Sequence, residues 1–280
     1  MKAKIRKLQN IISGTPTTDG DGVTMTRLIG SPELNMLDPF LLLDAFETDQ
    51  VNDYIGGFPD HPHRGFETVT YLIAGQMRHK DNAGHEGVIE AGGVQWMTAG
   101  KGIIHSEMPE QQAGLLQGFQ LWINLPASEK MSAPAYQEFP ADKIAVDSSI
   151  EDSVIRIIAG QTDNGISGPV KNNFVNPLYM DISLAAGQVF KQSVDGTDNA
   201  FIYVLEGELS INDTQQKISS RQLGVLSEGT AIVVKAKGDT RFILAAARPL
   251  HEPVARGGPF VMNTKAEIIQ AFEDFQNNRF

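Results

Sequence analysis

The chain has 280 residues, 41% of them hydrophobic and 20% charged, with a formal net charge of −11. That length exceeds what one hydrophobic core commonly supports, so two domains are expected, and the composition is that of a folded globular protein. The absence of cysteine excludes disulfides, thiolate catalysis and sulfur-ligated metals. The acidic balance argues against direct nucleic-acid binding, which needs clustered Lys and Arg on phosphates.

The start, Met1-Lys-Ala-Lys-Ile-Arg-Lys7, is basic, but Leu8-Gln-Asn-Ile-Ile-Ser-Gly-Thr15 is too polar for the apolar segment of a secretory leader. A cytoplasmic location is expected. No apolar run is long enough to cross a bilayer, so no membrane partner is expected either. Short β-branched and aromatic segments then follow one another, most of them ending at glycine. Thr68-Val-Thr-Tyr-Leu-Ile73, Gly93-Val-Gln-Trp-Met-Thr98 and Ile103-Ile-His-Ser-Glu-Met108 come first. Phe201-Ile-Tyr-Val-Leu205, Ala231-Ile-Val-Val-Lys-Ala236 and Arg241-Phe-Ile-Leu-Ala-Ala246 come later. Many short strands with regular turn signals read as antiparallel barrels or sandwiches. At the end, Thr264 and Glu267 form a capping box ahead of Ile268, Ile269, Phe272 and Phe275, which share one helical face.

An internal repeat organises these elements. Tyr71-Leu-Ile-Ala-Gly-Gln-Met77 resembles Tyr203-Val-Leu-Glu-Gly-Glu-Leu209 at an offset of 132, and Met97-Thr-Ala-Gly100 resembles Leu226-Ser-Glu-Gly229 at 129. Similar offsets argue for two related β-barrels, 1–130 and 131–280, joined through a connector around residues 127–150.

His61 and His63 flank Pro62, which favours extended backbone, and residues two apart in a strand share a face. His105 and Glu107 repeat that spacing. Each pair alone is most often incidental; on adjacent barrel strands, together they would bring four ligands to one point. Imidazole and carboxylate donors suit Fe(II), Mn, Ni, Cu or Zn and disfavour Ca or Mg. At the repeat offsets these ligands become Ser193, Asp195, Val234 and Ala236, so the downstream barrel is expected to hold no metal. His79, between Arg78 and Lys80, and His85, in the turn Asn82-Ala-Gly-His-Glu-Gly87, read as solvated surface residues. His251 reads as a residue of the metal-free half.

Phe58-Pro-Asp-His-Pro-His-Arg-Gly-Phe-Glu-Thr68 and Gln95-Trp-Met-Thr-Ala-Gly-Lys-Gly-Ile-Ile-His-Ser-Glu-Met-Pro109 resemble signatures of the pirin family, in the cupin superfamily. Leu37-Asp-Pro-Phe-Leu-Leu-Leu-Asp44 and Gly258-Pro-Phe-Val-Met-Asn-Thr264 also resemble it. The resemblance implies an all-β bicupin fold of jelly-roll type with a short C-terminal helix. It implies iron in the first barrel on His61, His63, His105 and Glu107. Glu67 then serves as a supporting carboxylate that orients a histidine ring.

Several pirins resemble quercetinases, which open the central ring of a flavonol with dioxygen and release carbon monoxide. In that reading Glu107 also accepts the substrate's proton, and Phe66, Trp96, Met97 and Met108 are candidate pocket residues. Other pirins resemble regulatory proteins that bind a transcription factor or a metabolic enzyme, with iron as a redox sensor. A third reading is non-redox chemistry, such as isomerisation on zinc or manganese. A pocket opening onto the metal would favour the enzyme; a closed site beneath a flat charged surface would favour the sensor. A monomer is expected.

Overall fold

The computed structural model describes residues 3–212 and 215–280. The chain divides into two compact units, one of residues 15–141 with 250–280, the other of residues 1–14 with 142–249. This differs from a single cut after residue 130. The connector is not a free loop, because Ala135–Phe139 is a strand paired to Val94–Thr98 in the upstream unit, whereas Ala145–Asp147 pairs with Val154–Ala159 in the downstream one. Each end of the chain also completes the unit whose body lies further away in sequence. Leu8–Ile12 pairs with Gln222–Leu226, and the segment after Pro249 joins the upstream barrel.

Both units have the same antiparallel plan. The upstream unit has a four-stranded sheet in the order Phe58–His63, Ile103–Pro109, Gln76–Asp81, Glu86–Glu90. Its seven-stranded sheet runs Ala135–Phe139, Val94–Thr98, Phe66–Ala74, Leu116–Asn124, Phe40–Thr48, Val23–Ile29, Thr15–Asp19. The downstream unit repeats this with Val189–Ser193, Ala231–Ala236, Glu208–Ile211 and Lys217–Ser219 as its smaller sheet. The two-barrel, all-β architecture expected from the repeat is thus the observed one.

Alternation along the strands explains the cores. Leu72, Met77, Ile89, Leu116 and Phe46 form one buried cluster drawn from both upstream sheets, so those sheets pack face to face. Downstream, Ile157, Met180, Ile202, Phe242 and Val234 do the same. Val234 and Ala236, at the repeat positions of His105 and Glu107, are 0% and 1% exposed within this apolar filling. At these two positions, where the upstream barrel carries donors, the downstream barrel is packed with hydrocarbon, whereas Ser193 and Asp195 are exposed.

The helix Lys265–Gln276 begins at the expected capping box. Thr264 Oγ1 accepts from Glu267 N at 3.2 Å, and Glu267 Oε2 accepts from Thr264 N at 2.7 Å. The buried face differs by one position from the expected one: Ile268 and Ala271 are buried, but Ile269 is 60% exposed. Phe272 and Phe275 meet Phe260 at ring distances of 4.9 and 6.3 Å. Arg64 anchors the helix through Asp274, at 2.7 Å. No helix among the described residues is long and apolar enough to cross a membrane.

Candidate functional site

Strand Phe58–His63 runs antiparallel to Ile103–Pro109, with His61 opposite His105 and a register shift before Glu107. The spacing of two therefore sends both histidine pairs to a common place. Ring centroids lie 4.7 Å apart for His61 and His63, 4.4 Å for His61 and His105, and 5.1 Å for His63 and His105. One nitrogen of each ring comes within 4.8 Å of the others.

The turn after His63 is locked from behind. Gly65 has φ +87°, and a Cβ there would collide with the Val261 carbonyl oxygen, so only glycine fits. Lys130, 1% exposed, donates from its Nζ to Gly65 O at 2.7 Å, Asn124 Oδ1 at 2.6 Å and Val261 O at 3.0 Å. All three ammonium protons are satisfied by this one turn and its neighbours.

The ring chemistry fits a metal. His61 Nδ1 faces Pro59 O at 2.9 Å, which makes it the protonated nitrogen and leaves Nε2 with a lone pair. That Nε2 is 3.1 Å from His63 Nε2. Both nitrogens of His105, a residue 1% exposed, lack a hydrogen-bond partner among the described residues. Burial, and then the His61 ring, holds His63 well below the usual imidazole range; burial, then His63, His61 and His79, does so for His105. Imidazole rings crowded together with nitrogens facing one another are what a divalent first-row cation takes up, and an unpaired buried imidazole is otherwise costly.

Glu107 is 3% exposed and faces the same interior. Its Oε1 accepts from Thr70 Oγ1 at 2.8 Å and its Oε2 from Gln120 Nε2 at 3.4 Å. The tight histidine cluster does not include this carboxylate, but Glu107 lines the same cavity as His61 and His63. Glu67 does not have the expected place. Strand alternation sends it to the sheet face opposite Thr70, where its Oε1 accepts from Thr98 Oγ1 at 2.8 Å. Thr70 and Gln120, not Glu67, hold the carboxylate at the site; their signal in the sequence was only that of ordinary strand residues.

A cavity of about 500 Å³ opens on His61, His63 and Glu107, with an apolar wall of Met25, Leu42, Phe46, Phe58 and Trp122. At its polar side Arg27 pairs with Asp44 at 2.7 Å. Phe66, Trp96, Met97 and Met108 do not line it. Phe66 stands behind the wall, 4.3 Å from the Trp122 ring and 5.1 Å from His63. Trp96 is in register with Val69, on the face away from Thr70. Met97 packs with Ala99 and Ile103, and Met108 points to the opposite side of its strand from Glu107.

The other histidines also depart from expectation. His79 is 2% exposed, because alternation turns Met77, His79 and Asp81 inward and leaves Arg78 and Lys80 outside. It lies opposite Glu107 in register. His85 stacks on Tyr136 at 4.4 Å. Burial would raise the Glu138 carboxyl, but the close approach of His79, Gln95 and His85 holds it at about 2. His251 is exposed, and it belongs with residues 250–280 to the upstream unit and not to the downstream half expected for it.

Comparison with known proteins accords with this architecture. A family described as "Pirin" matches residues 22–123, and one described as "Pirin C-terminal cupin domain" matches residues 179–280. The chain is 52% identical over 277 residues to a pirin-like protein of Caulobacter vibrioides, covering 99% of each. It is 45% identical over 267 residues to the pirin of Homo sapiens, covering 93% of this chain and 89% of the relative. Among solved structures, a quercetin 2,3-dioxygenase from Acinetobacter baumannii superposes with a TM-score of 0.91 at 35% identity, over 99% of this chain and 98% of that one. Two barrels of one plan, histidine clusters among the described residues in the first only, and matches in both halves have one reading: the chain belongs to the pirin family.

Proposed function

We propose that this protein is an iron-dependent dioxygenase of the quercetin 2,3-dioxygenase type, with His61, His63, His105 and Glu107 holding the metal. The observation that carries the reading is the cavity of about 500 Å³ meeting the histidines and Glu107. A redox sensor working through its surface would not need such a space, whereas a flat polycyclic enol would. The volume lies in the ordinary range for small-molecule sites, about 300–1,000 Å³. The A. baumannii structure named as a quercetin 2,3-dioxygenase supports the substrate class.

The residues divide the work. Phe46 and Trp122 offer aromatic faces to a planar ring system, and Met25 and Leu42 keep that end of the cavity apolar. Glu107 accepts the proton of the substrate's hydroxyl at Oε2, the oxygen held only by the long Gln120 contact, while Thr70 fixes Oε1. Bound iron would supply a Lewis acid for the enol oxygen and a redox centre for dioxygen. Trp122 meets His63 edge to face at 5.2 Å, so the substrate wall also steadies a ligand ring. Soluble, cytoplasmic, monomeric action belongs to this proposal.

The test is anaerobic purification and iron loading, followed by oxygen uptake and carbon monoxide release with quercetin. Stoichiometric release is expected. An iron-loaded protein that consumes no oxygen with any flavonol sinks the substrate assignment. A His61→Ala/His105→Ala variant that binds as many metal equivalents as wild type sinks the ligand assignment.

A further inference from the structure

His79, His85 and Glu138 form a second group of metal-ligating side chains, separate from His61, His63 and His105. His79 comes from the strand Gln76–Asp81 of the four-stranded sheet, and His85 from the turn that follows. Glu138 comes from Ala135–Phe139, at the edge of the seven-stranded sheet. The three therefore meet across the seam of the upstream barrel.

Their geometry is crowded around one atom. His79 Nε2 is 2.5 Å and His85 Nε2 is 3.1 Å from the same oxygen, Glu138 Oε1. Gln95 Nε2 reaches that oxygen too, at 2.5 Å. Three nitrogens exceed what the lone pairs of one carboxylate oxygen can take. The His79 contact fails as a hydrogen bond, and neither of its ring nitrogens has a hydrogen-bond partner among the described residues. A cation shared among the three would relieve that arrangement.

Two further features show that the site is built. Gly87 lies opposite His79 in register. A Cβ there would be 2.7 Å from His79 Cε1, 2.9 Å from its Nε2 and 3.3 Å from Glu138 Oε2. Glycine keeps that space open. At the offset of 132 that aligns Met77 with Leu209, Ile211 of the downstream barrel takes the place of His79, and it is buried in the core. Packing at this position is thus satisfied by isoleucine, and does not by itself require an imidazole.

We propose that His79, His85 and Glu138 bind a second divalent cation of the zinc class in the upstream barrel. Two imidazoles and a carboxylate are the donor set of a tetrahedral zinc site with one open position. The side chains of His85 and Glu138 are 40% and 30% exposed, so water from solvent fills that position. Glu138, on the solvent side, backs away from His79 as the ion enters, and Gln95 keeps its carboxylate oriented. The Tyr136 ring, stacked on His85 with planes 29° apart, fixes the plane of that ligand. The ion clasps the turn after Asp81 to the edge strand, so its role is to fasten the two sheets together at that seam.

The test uses metal-stripped full-length protein titrated with Zn(II) and with Co(II). Bound metal per chain, the visible cobalt spectrum and Tm are read. Wild type is expected to bind two equivalents and the His85→Ala/Glu138→Gln variant one. A His61→Ala/His63→Ala variant is expected to keep one equivalent, to show the bands of tetrahedral cobalt, and to gain Tm with zinc. The proposal is overturned if wild type binds no more metal than His85→Ala/Glu138→Gln. It is also overturned if a folded His61→Ala/His63→Ala variant, judged by circular dichroism, binds none. If that variant does not fold, the comparison of wild type with His85→Ala/Glu138→Gln decides alone, since those two side chains are part-exposed. Quercetin turnover plays no part in these readouts.

Discussion

Lys130 offers a quantitative test of how the histidine turn is held. Burial lowers its ammonium from 10.5 to about 8, against the opposing pull of Glu252 and Glu267. A folded-state pKa below the unfolded one means that the unfolded chain binds more protons between the two values. Stability contributed by this group therefore rises as pH climbs from about 8 towards about 10.5. The full span corresponds to roughly 3.4 kcal/mol at about 1.36 kcal/mol per unit, of which roughly 2 kcal/mol falls between about pH 7.5 and about pH 9.5.

Urea unfolding of wild type and Lys130→Met at those two pH values isolates the effect. The buried tyrosines Tyr136 and Tyr179, whose pKa values burial raises, titrate alike in both proteins and cancel. Lys130→Met starts less stable, since Gly65 O, Asn124 Oδ1 and Val261 O lose their donor. The stability of wild type minus that of the variant is expected to widen by roughly 2 kcal/mol on alkalinisation. A difference that stays flat, or narrows, refutes the claim that a charged amine is held in a dry pocket.

Three other outcomes are expected. Glu107→Gln removes the proton acceptor while keeping shape, so kcat/KM with quercetin should fall by about 10²–10⁴-fold in oxygen-uptake assays. Trp122→Ala strips an aromatic wall from the cavity and should raise KM more than it lowers kcat, on the order of 10-fold. The Arg64 guanidinium, with Gln270 and Arg279, holds Asp274 at about 2. That contribution is present above the ordinary aspartate range near pH 4 and is lost as pH falls through about 2. Asp274→Asn should therefore match wild type at about pH 2 but be less stable at about pH 6, by urea titration.

The two-barrel plan was legible because the repeat preserves strand, glycine turn and strand at nearly constant offsets. The histidines were legible because their spacing of two survives in any extended strand. What failed was parity beyond the motifs. Trp96 and Met97 are adjacent, and nothing in Gln95-Trp-Met-Thr98 states which faces inward until the pairing with Thr68 and Val69 is known. Glu67 fell to the wrong face for the same reason. His79 was misread from its charged neighbours, although the alternation of Met77, His79 and Asp81 with Arg78 and Lys80 carried the signal. Gln120 and Trp122 come from a strand with no motif, Phe46 lies just past the Leu37–Asp44 motif, and only the tertiary register brings them to the cavity.

The crossed ends of the chain bear on synthesis. Leu8 leaves the ribosome near the beginning, yet its partner Leu226 appears more than two hundred residues later. At about 5–20 residues per second, that strand waits roughly 10–40 s before its sheet can accept it. The upstream barrel waits as well, because Val261 O and Asp274, which brace Lys130 and Arg64, are made more than 150 residues after His105. The downstream barrel is complete only once the strands up to Pro249 have emerged, and the upstream one only after residues 250–280. The nascent protein therefore carries the site's histidines, unbraced, through most of its own translation.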